Sequence, residues 1–169
     1  MQMRKIKKPT QEKTDKPKKI IKPYHPTEPV KVYMTRNPSV VSSEAGAKTG
    51  FWILQTKGFK QLLVMDRGKL VGIVSDRDFR RPQFGDKPAN EVEYWEEYYR
   101  INDLYKIKHI RTSNVITINE NAPLIDAVRI FKQKKFNALP VLSDSGKLVG
   151  ILTVHDILSS LMSSYKQKE

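Results

Sequence analysis

The sequence predicts an α+β fold assembled from two α/β-type repeats, each reading β-α-β-β-α. Three observations predict it. First, Gly68-Lys69-Leu70-Val71-Gly72-Ile73-Val74-Ser75-Asp76-Arg77-Asp78 returns as Gly146-Lys147-Leu148-Val149-Gly150-Ile151-Leu152-Thr153-Val154-His155-Asp156. Second, a continuous apolar run precedes each copy at matching distance, Leu62-Leu63-Val64-Met65 and Ala138-Leu139-Pro140-Val141-Leu142, the pattern of a buried strand. Third, turn residues separate run from copy, Asp66-Arg67-Gly68 and Asp144-Ser145-Gly146, so each pair of strands is a hairpin. An internal repeat constrains the architecture before any local propensity does.

The elements follow in order. In the first repeat, which begins near Val30, Val32 and Met34 lead into Thr35-Arg36-Asn37-Pro38, and Ser39-Val40-Val41-Ser42 is a short strand. A helix is expected from about Ser43, with Ser42 or Ser43 as cap and Phe51, Ile53 and Leu54 on its apolar side. Gly46 and Gly50 weaken it by about 1 kcal/mol each relative to alanine, and Gly58 ends it. After the hairpin, Ser75-Asp76-Arg77-Asp78 opens a helix that Pro82 cuts short. In the second repeat His109 to Asn114 matches Val32 to Asn37, and Val115-Ile116-Thr117-Ile118 is the strand. Asn121 or Asn119 caps a helix with Leu124, Ala127, Val128, Ile130 and Phe131 inward. The final helix starts at Thr153 and runs through Ile157, Leu158, Leu161 and Met162, with Lys166 and Lys168 at its C-terminal end.

The chain has 169 residues, 38% of them hydrophobic, enough for two small repeats sharing a core. It has no cysteine, which excludes disulfides and thiolate metal sites. His25, His109 and His155 do not fall at the spacing of a metal site. No apolar run reaches the ~20 residues of a membrane span, and no apolar stretch follows the charged N-terminus, so a cytoplasmic protein without a secretory signal is expected. The formal net charge is +13. Much of it lies in residues 1–29, which carry Arg4, Lys5, Lys7, Lys8, Lys13, Lys16, Lys18, Lys19 and Lys22 together with five prolines. Such a stretch buries too little to offset its ordering entropy. It reads as a disordered or extended tail, with Ile20, Ile21 and Tyr24 the residues placed to dock locally. Its basic charge suits nucleic acid or an acidic protein partner through salt-sensitive backbone contacts, or serves solubility alone. The division is therefore 1–29 arm, 30–81 first repeat, 82–106 connector and 107–165 second repeat. The connector holds Glu91, Glu93, Glu96 and Glu97 with Tyr94, Trp95, Tyr98 and Tyr99, a composition for packing on the module or for a partner. No ordering of nucleophile, base and acid suggests catalysis, so an enzyme is not expected.

A strand–helix–strand–strand–helix unit ending in Gly-x-hydrophobic-hydrophobic-Ser/Thr-x-x-Asp resembles the CBS domain, named after cystathionine β-synthase. The matching residues are Val32-Tyr33-Met34-Thr35, Val64-Met65-Asp66, Gly68 to Ser75 and Asp78 in one copy. In the other they are Val115-Ile116-Thr117, Ala138-Leu139-Pro140-Val141 and Gly146 to Asp156. The resemblance covers about residues 30–165. It implies two repeats packed through their sheets into a pseudo-two-fold module, and a second copy of the chain as partner in a homodimer. It also implies two clefts for adenosine compounds (AMP, ADP, ATP or S-adenosylmethionine) as regulatory ligands, with no cofactor required. The first cleft would combine Ser75, Arg77 and Asp78 with Val115, Ile116, Asn137, Ala138 and Pro140. The second would combine Thr153, His155 and Asp156 with Ser39, Val40, Lys60 and Gln61. Each aspartate would take the two hydroxyls of a ribose, and the backbone N–H groups at Ser75 or Thr153, with Arg77, would meet phosphate. The chain departs from the family at Lys60-Gln61-Leu62-Leu63-Val64, where small-x-Leu-Pro-Val is usual, so Lys60 and Gln61 are expected to crowd the second cleft, or Lys60 to meet a phosphate there. Arg111 stands where methionine is usual and is expected to face solvent. The plain alternative for both aspartates is the helix-capping pattern of a Ser/Thr followed three residues later by an acid.

Overall fold

Each repeat folds around a core whose first piece comes from the other repeat. The computed structural model describes residues 21–80 and 105–166. Strands β1 (Thr35–Arg36), β2 (Val40–Ser42), β3 (Gln61–Asp66) and β4 (Lys69–Ser75) and helix α1 (Ala47–Lys57) come from the first repeat, ending in a 3₁₀ turn at Asp78–Arg80. Helix α2 (Ile107–Ile110), strand β5 (Ile118–Asn119), helix α3 (Leu124–Lys134), strands β6 (Ala138–Leu142) and β7 (Leu148–Thr153) and helix α4 (Val154–Lys166) form the second. One sheet runs β2-β3-β4 and the other β1-β7-β6-β5. The short β1 thus leaves its own repeat and pairs antiparallel with β7, Thr35 opposite Ile151. Thr112 of the second repeat makes the reciprocal bridge to Ile73 of β4, with N–H···O contacts of 2.9 and 3.0 Å.

The hydrophobic cores follow this exchange. Val41, Ala47, Phe51, Leu54, Leu62, Val64, Val74 and Phe79 pack with Ile107 and Ile110. Ile118, Leu124, Ala127, Phe131, Leu139, Val141, Leu152 and Ile157 pack with Val30, Tyr33 and Met34. The helix starts are exchanged too. The first N–H of α1 donates to Tyr105 O at 2.7 Å, while Leu124 N and Ile125 N of α3 donate to Glu28 O and Pro26 O at 2.8 and 2.9 Å. The orphan donors of each helix are therefore satisfied by the segment that leads into the other repeat.

Several local expectations change for this reason. Helix α1 starts at Ala47 with Gly46 as its cap, because Ser42 Oγ instead accepts Glu44 N in the preceding turn, at 3.2 Å. Gly50 is a packing residue: a Cβ there would lie 2.5 Å from Ile107 Cδ1. Asn119 and Asn121 do not cap α3, which begins after Pro123; their amides hold Asp144 of the β6–β7 turn at 2.9 and 3.0 Å. The strand expected at Val115–Ile118 shrinks to Ile118–Asn119: the exchange bridge is made earlier, by Thr112, and residues 113–117 pair with no strand. Arg111 is half-buried rather than turned to solvent. Its stem lies against Gly72, and Nη1 donates to Val71 O at 2.6 Å. The helix expected at Ser75 is a 3₁₀ turn from Asp78. The hairpin turns form as read: Arg67 and Gly68 both take positive φ, 44° and 77°, the geometry a two-residue turn demands.

The arm is docked over its described part. Tyr24 N donates to Ser164 Oγ at 2.8 Å, and Ser160 Oγ of α4 donates to Lys22 O at 2.8 Å. Tyr24 packs beside the second core, and Ile21 is half exposed. Tyr33 Oη accepts His25 N and donates to Glu28 Oε2 at 2.6 Å; burial, then that hydrogen bond, pushes its pKa up to about 12. Glu44 takes Lys106 Nζ at 2.6 Å and Lys108 Nζ at 2.8 Å across the repeats, and those two hydrogen bonds draw its carboxyl down to about 2. The basic residues Arg4 to Lys19, Ile20, Pro82, the acidic and aromatic residues of the connector up to Tyr99, and Lys168 lie outside the described residues. No described helix is long and apolar enough to cross a membrane.

Candidate functional site

Two cavities open where the sheets meet. Each is floored by an exchanged pair, Ile73 with Thr112 in one and Ile151 with Thr35 in the other. The first measures about 250 Å³. It is lined by Ser75, Arg77 and Asp78 from the end of β4 and the 3₁₀ turn, by Val115 and Ile116 from the segment before β5, and by Asn137 and Ala138 at the start of β6. Seven of the eight residues expected there are brought together. Pro140 is not among them. It lies in β6 on the same face as Ala138 but two residues further along, about 7 Å at the strand rise, and is buried between the strands. Gln61, Asn114 and Phe136 also line this cavity. The sequence held a signal for Phe136, since Phe59 occupies the matching place on the other side. It held none for Gln61, expected on the second cleft alone.

The second cavity measures about 570 Å³. Ser39, Lys60, Gln61, Thr153 and His155 line it, as do Asn37, Pro38 and Phe59. The expected crowding by Lys60 and Gln61 does not occur: this cavity is the larger. Lys60 is exposed, and Gln61 lines both cavities. Val40 is turned outward, 46% exposed, because alternation along β2 commits Val41 to the core. Asp156 is not on this cavity either. It faces a smaller pocket of about 180 Å³, shared with Ile21 and Lys22 of the docked arm and with Tyr33 and Ser160.

Both aspartates are held the same way. Asp78 Oδ2 accepts Ser75 N and Ser75 Oγ, each at 2.8 Å. Asp156 Oδ2 accepts Thr153 N at 2.8 Å and Thr153 Oγ1 at 2.7 Å. The carboxylate side of the capping pattern is therefore formed in both; Asp156 completes it at the head of α4, where its N–H donates to Thr153 Oγ1 at 3.2 Å, while Asp78 begins a 3₁₀ turn. One expectation is corrected: the Ser75 and Thr153 N–H groups serve their own aspartates rather than a phosphate. The two differ in what else they face. Asp78 is 6% exposed and lines a cavity with an arginine beside it and apolar walls opposite. A capped carboxylate has a fixed orientation, and a carboxylate can accept about four hydrogen bonds, so it can hold a diol without reorganising.

Comparison with known proteins gives the family. The CBS domain profile matches residues 30–83 and 107–163. A CBS domain-containing protein of Dictyostelium discoideum is 27% identical over 134 residues, 79% of this chain and 90% of that protein. Inosine-5′-monophosphate dehydrogenase of Aquifex aeolicus is 28% identical over 128 residues, 74% of this chain but 23% of that enzyme. The CBS-pair protein CBSX2 of Arabidopsis thaliana superposes with a TM-score of 0.71 at 24% identity, covering 83% of this chain and 98% of the other. CBSX2 solved in complex with AMP gives a TM-score of 0.63 at 26% identity, covering 84% and 99%.

Proposed function

This chain belongs to the CBS domain family, and from that premise we propose that it is a regulatory module whose Asp78 cavity holds an adenine nucleotide. The observation that carries the proposal is the first cavity itself. It sets the buried, capped Asp78 and its neighbour Arg77 from one repeat against Val115, Ile116 and Ala138 from the other. Asp78 takes the ribose hydroxyls, Arg77 the phosphate, and the apolar walls flank the base. The AMP complex of CBSX2 supports the ligand class. Because the walls come from both repeats, occupancy changes how the repeats sit together, and a partner or a second copy reads that change. Leu158, Leu161, Met162 and Tyr165 form an exposed row at helical spacing along α4, which supports self-association through that helix.

The test is a thermal-shift series on the full chain, freed of carried-over nucleotide, with AMP, ADP, ATP and S-adenosylmethionine. At a hundred times its dissociation constant a ligand adds about 2.7 kcal/mol, a rise of several degrees. Asp78→Ala is expected to abolish the rise and Asp156→Ala to leave it. No shift with any of the four at millimolar concentration overturns the proposal.

A further inference from the structure

Gln61 opens β3 and is directly opposite Ser75 of β4, so the two side chains share one face of the sheet. Ile73 is on that face too, two residues before Ser75. All three line the Asp78 cavity. The matching position of the second repeat, opposite Thr153, is Ala138, so the fold itself needs no amide here. Gln61 Oε1 is nevertheless buried without a hydrogen-bond partner among the described residues. A buried acceptor without a donor is a cost that the folded chain alone does not recover, and a ligand with an N–H at that place recovers it.

We propose that Gln61 determines the specificity of the Asp78 cavity, its buried Oε1 accepting a hydrogen bond from the amino group of a 6-aminopurine and rejecting a 6-oxopurine. The inference rests on the reading of this cavity as a nucleotide site. With the amide oriented as it is, a 6-oxo group turns an acceptor toward an acceptor, so the oxopurine either leaves Oε1 unsatisfied or forces the amide to turn over. Sites that hydrogen-bond a ligand group discriminate strongly against the analogue lacking it, because their own buried polar atom is then left unpaired.

The experiment is calorimetric titration of the full chain with AMP and with IMP, in wild type and in Gln61→Met, which keeps the length and removes the acceptor. Wild type is expected to prefer AMP by at least about tenfold, the ratio one buried hydrogen bond supplies. Gln61→Met is expected to bring the ratio to within about twofold and, ligand-free, to melt higher than wild type, since the orphaned acceptor is gone. Gln61→Ala, which copies Ala138, gives the same comparison if the methionine variant does not fold. Equal binding of AMP and IMP by wild type, a preference that survives in the variant, or an unchanged or lower melting temperature of the ligand-free variant each overturns the role of Gln61 while the nucleotide site stands. Binding of neither nucleotide overturns the site and this inference together.

Discussion

The two clefts start from the same motif and end with different contents. Ser75–Asp78 and Thr153–Asp156 make the same pair of hydrogen bonds, to within 0.1 Å. Yet Asp78 faces a cavity of about 250 Å³ with Arg77 and apolar walls, whereas Asp156 stands outside a cavity of about 570 Å³, under the docked arm. Local sequence sets the cap. What lies opposite the cap is set by elements remote in sequence. A repeat therefore guarantees matched scaffolding without guaranteeing matched function.

The largest expected effects test whether the two cores are equivalent. Leu62 and Leu139 are both fully buried, at matching places in β3 and β6. Leu62→Ala and Leu139→Ala should each cost about 2–5 kcal/mol, read by urea or guanidinium unfolding. A single shared transition in both variants would show that the exchange couples the cores. Separate transitions would show two independent units.

The motif glycines break the symmetry next. A Cβ on Gly150 would collide with Met34 Sδ and lie 3.0 Å from Thr35 O, inside the second core. A Cβ on Gly72 would likewise lie 3.0 Å from a backbone oxygen, Thr112 O, but its closest contact is the stem of Arg111, 2.6 Å from Cδ, and that half-buried chain yields more readily than the buried Met34. Gly150→Ala is therefore expected to lower stability by about 1–3 kcal/mol, as overpacking does, with a smaller loss for Gly72→Ala. Equal losses in the two variants, measured by chemical unfolding, would mean that Arg111 is held as firmly as Met34.

Tyr33 probes the arm on the second repeat. Removing its hydroxyl leaves His25 N–H without its acceptor, so Tyr33→Phe should cost about 1–2 kcal/mol. Its pKa is raised, so the fold favours the neutral phenol. That contribution is complete below pH 10 and is lost as pH rises from 10 through about 12. The melting temperature of wild type should fall over this window by more than that of Tyr33→Phe.

The smallest effect lies at the junction of the repeats. The lowered pKa of Glu44 means that its pairs with Lys106 and Lys108 stabilise fully above about pH 4.5. The contribution is lost as pH falls toward 2. These groups are exposed, so Glu44→Gln should shift the melting temperature little at neutral pH and less still in high salt.

Much of this was legible along the chain. The hairpins, the buried strands and the two caps are local: a positive φ at Gly68 or a hydroxyl three residues before an acid is settled by near neighbours. Seven of the eight residues that the resemblance placed at the Asp78 cavity line it, because a family motif carries its surroundings with it. What escaped was whatever depends on a distant segment. Arg111 reads as a surface cation until Gly72 receives it. Gly50 reads as a weak helix residue until Ile107 packs on it. Gln61 reads as an obstruction until the start of β3 is placed between both cavities.

The sequence by itself determined that there are two repeats, where their strands turn and where the two hydroxyl–carboxylate pairs lie, since these rest on interactions within a few residues. Only the tertiary structure decided that the entry segments cross over, that Gly72 and Gly150 mark the crossings, and that one capped aspartate faces a cavity while its twin does not. Those outcomes depend on contacts such as Met34 with Gly150, between residues whose separation along the chain gives no sign that they meet.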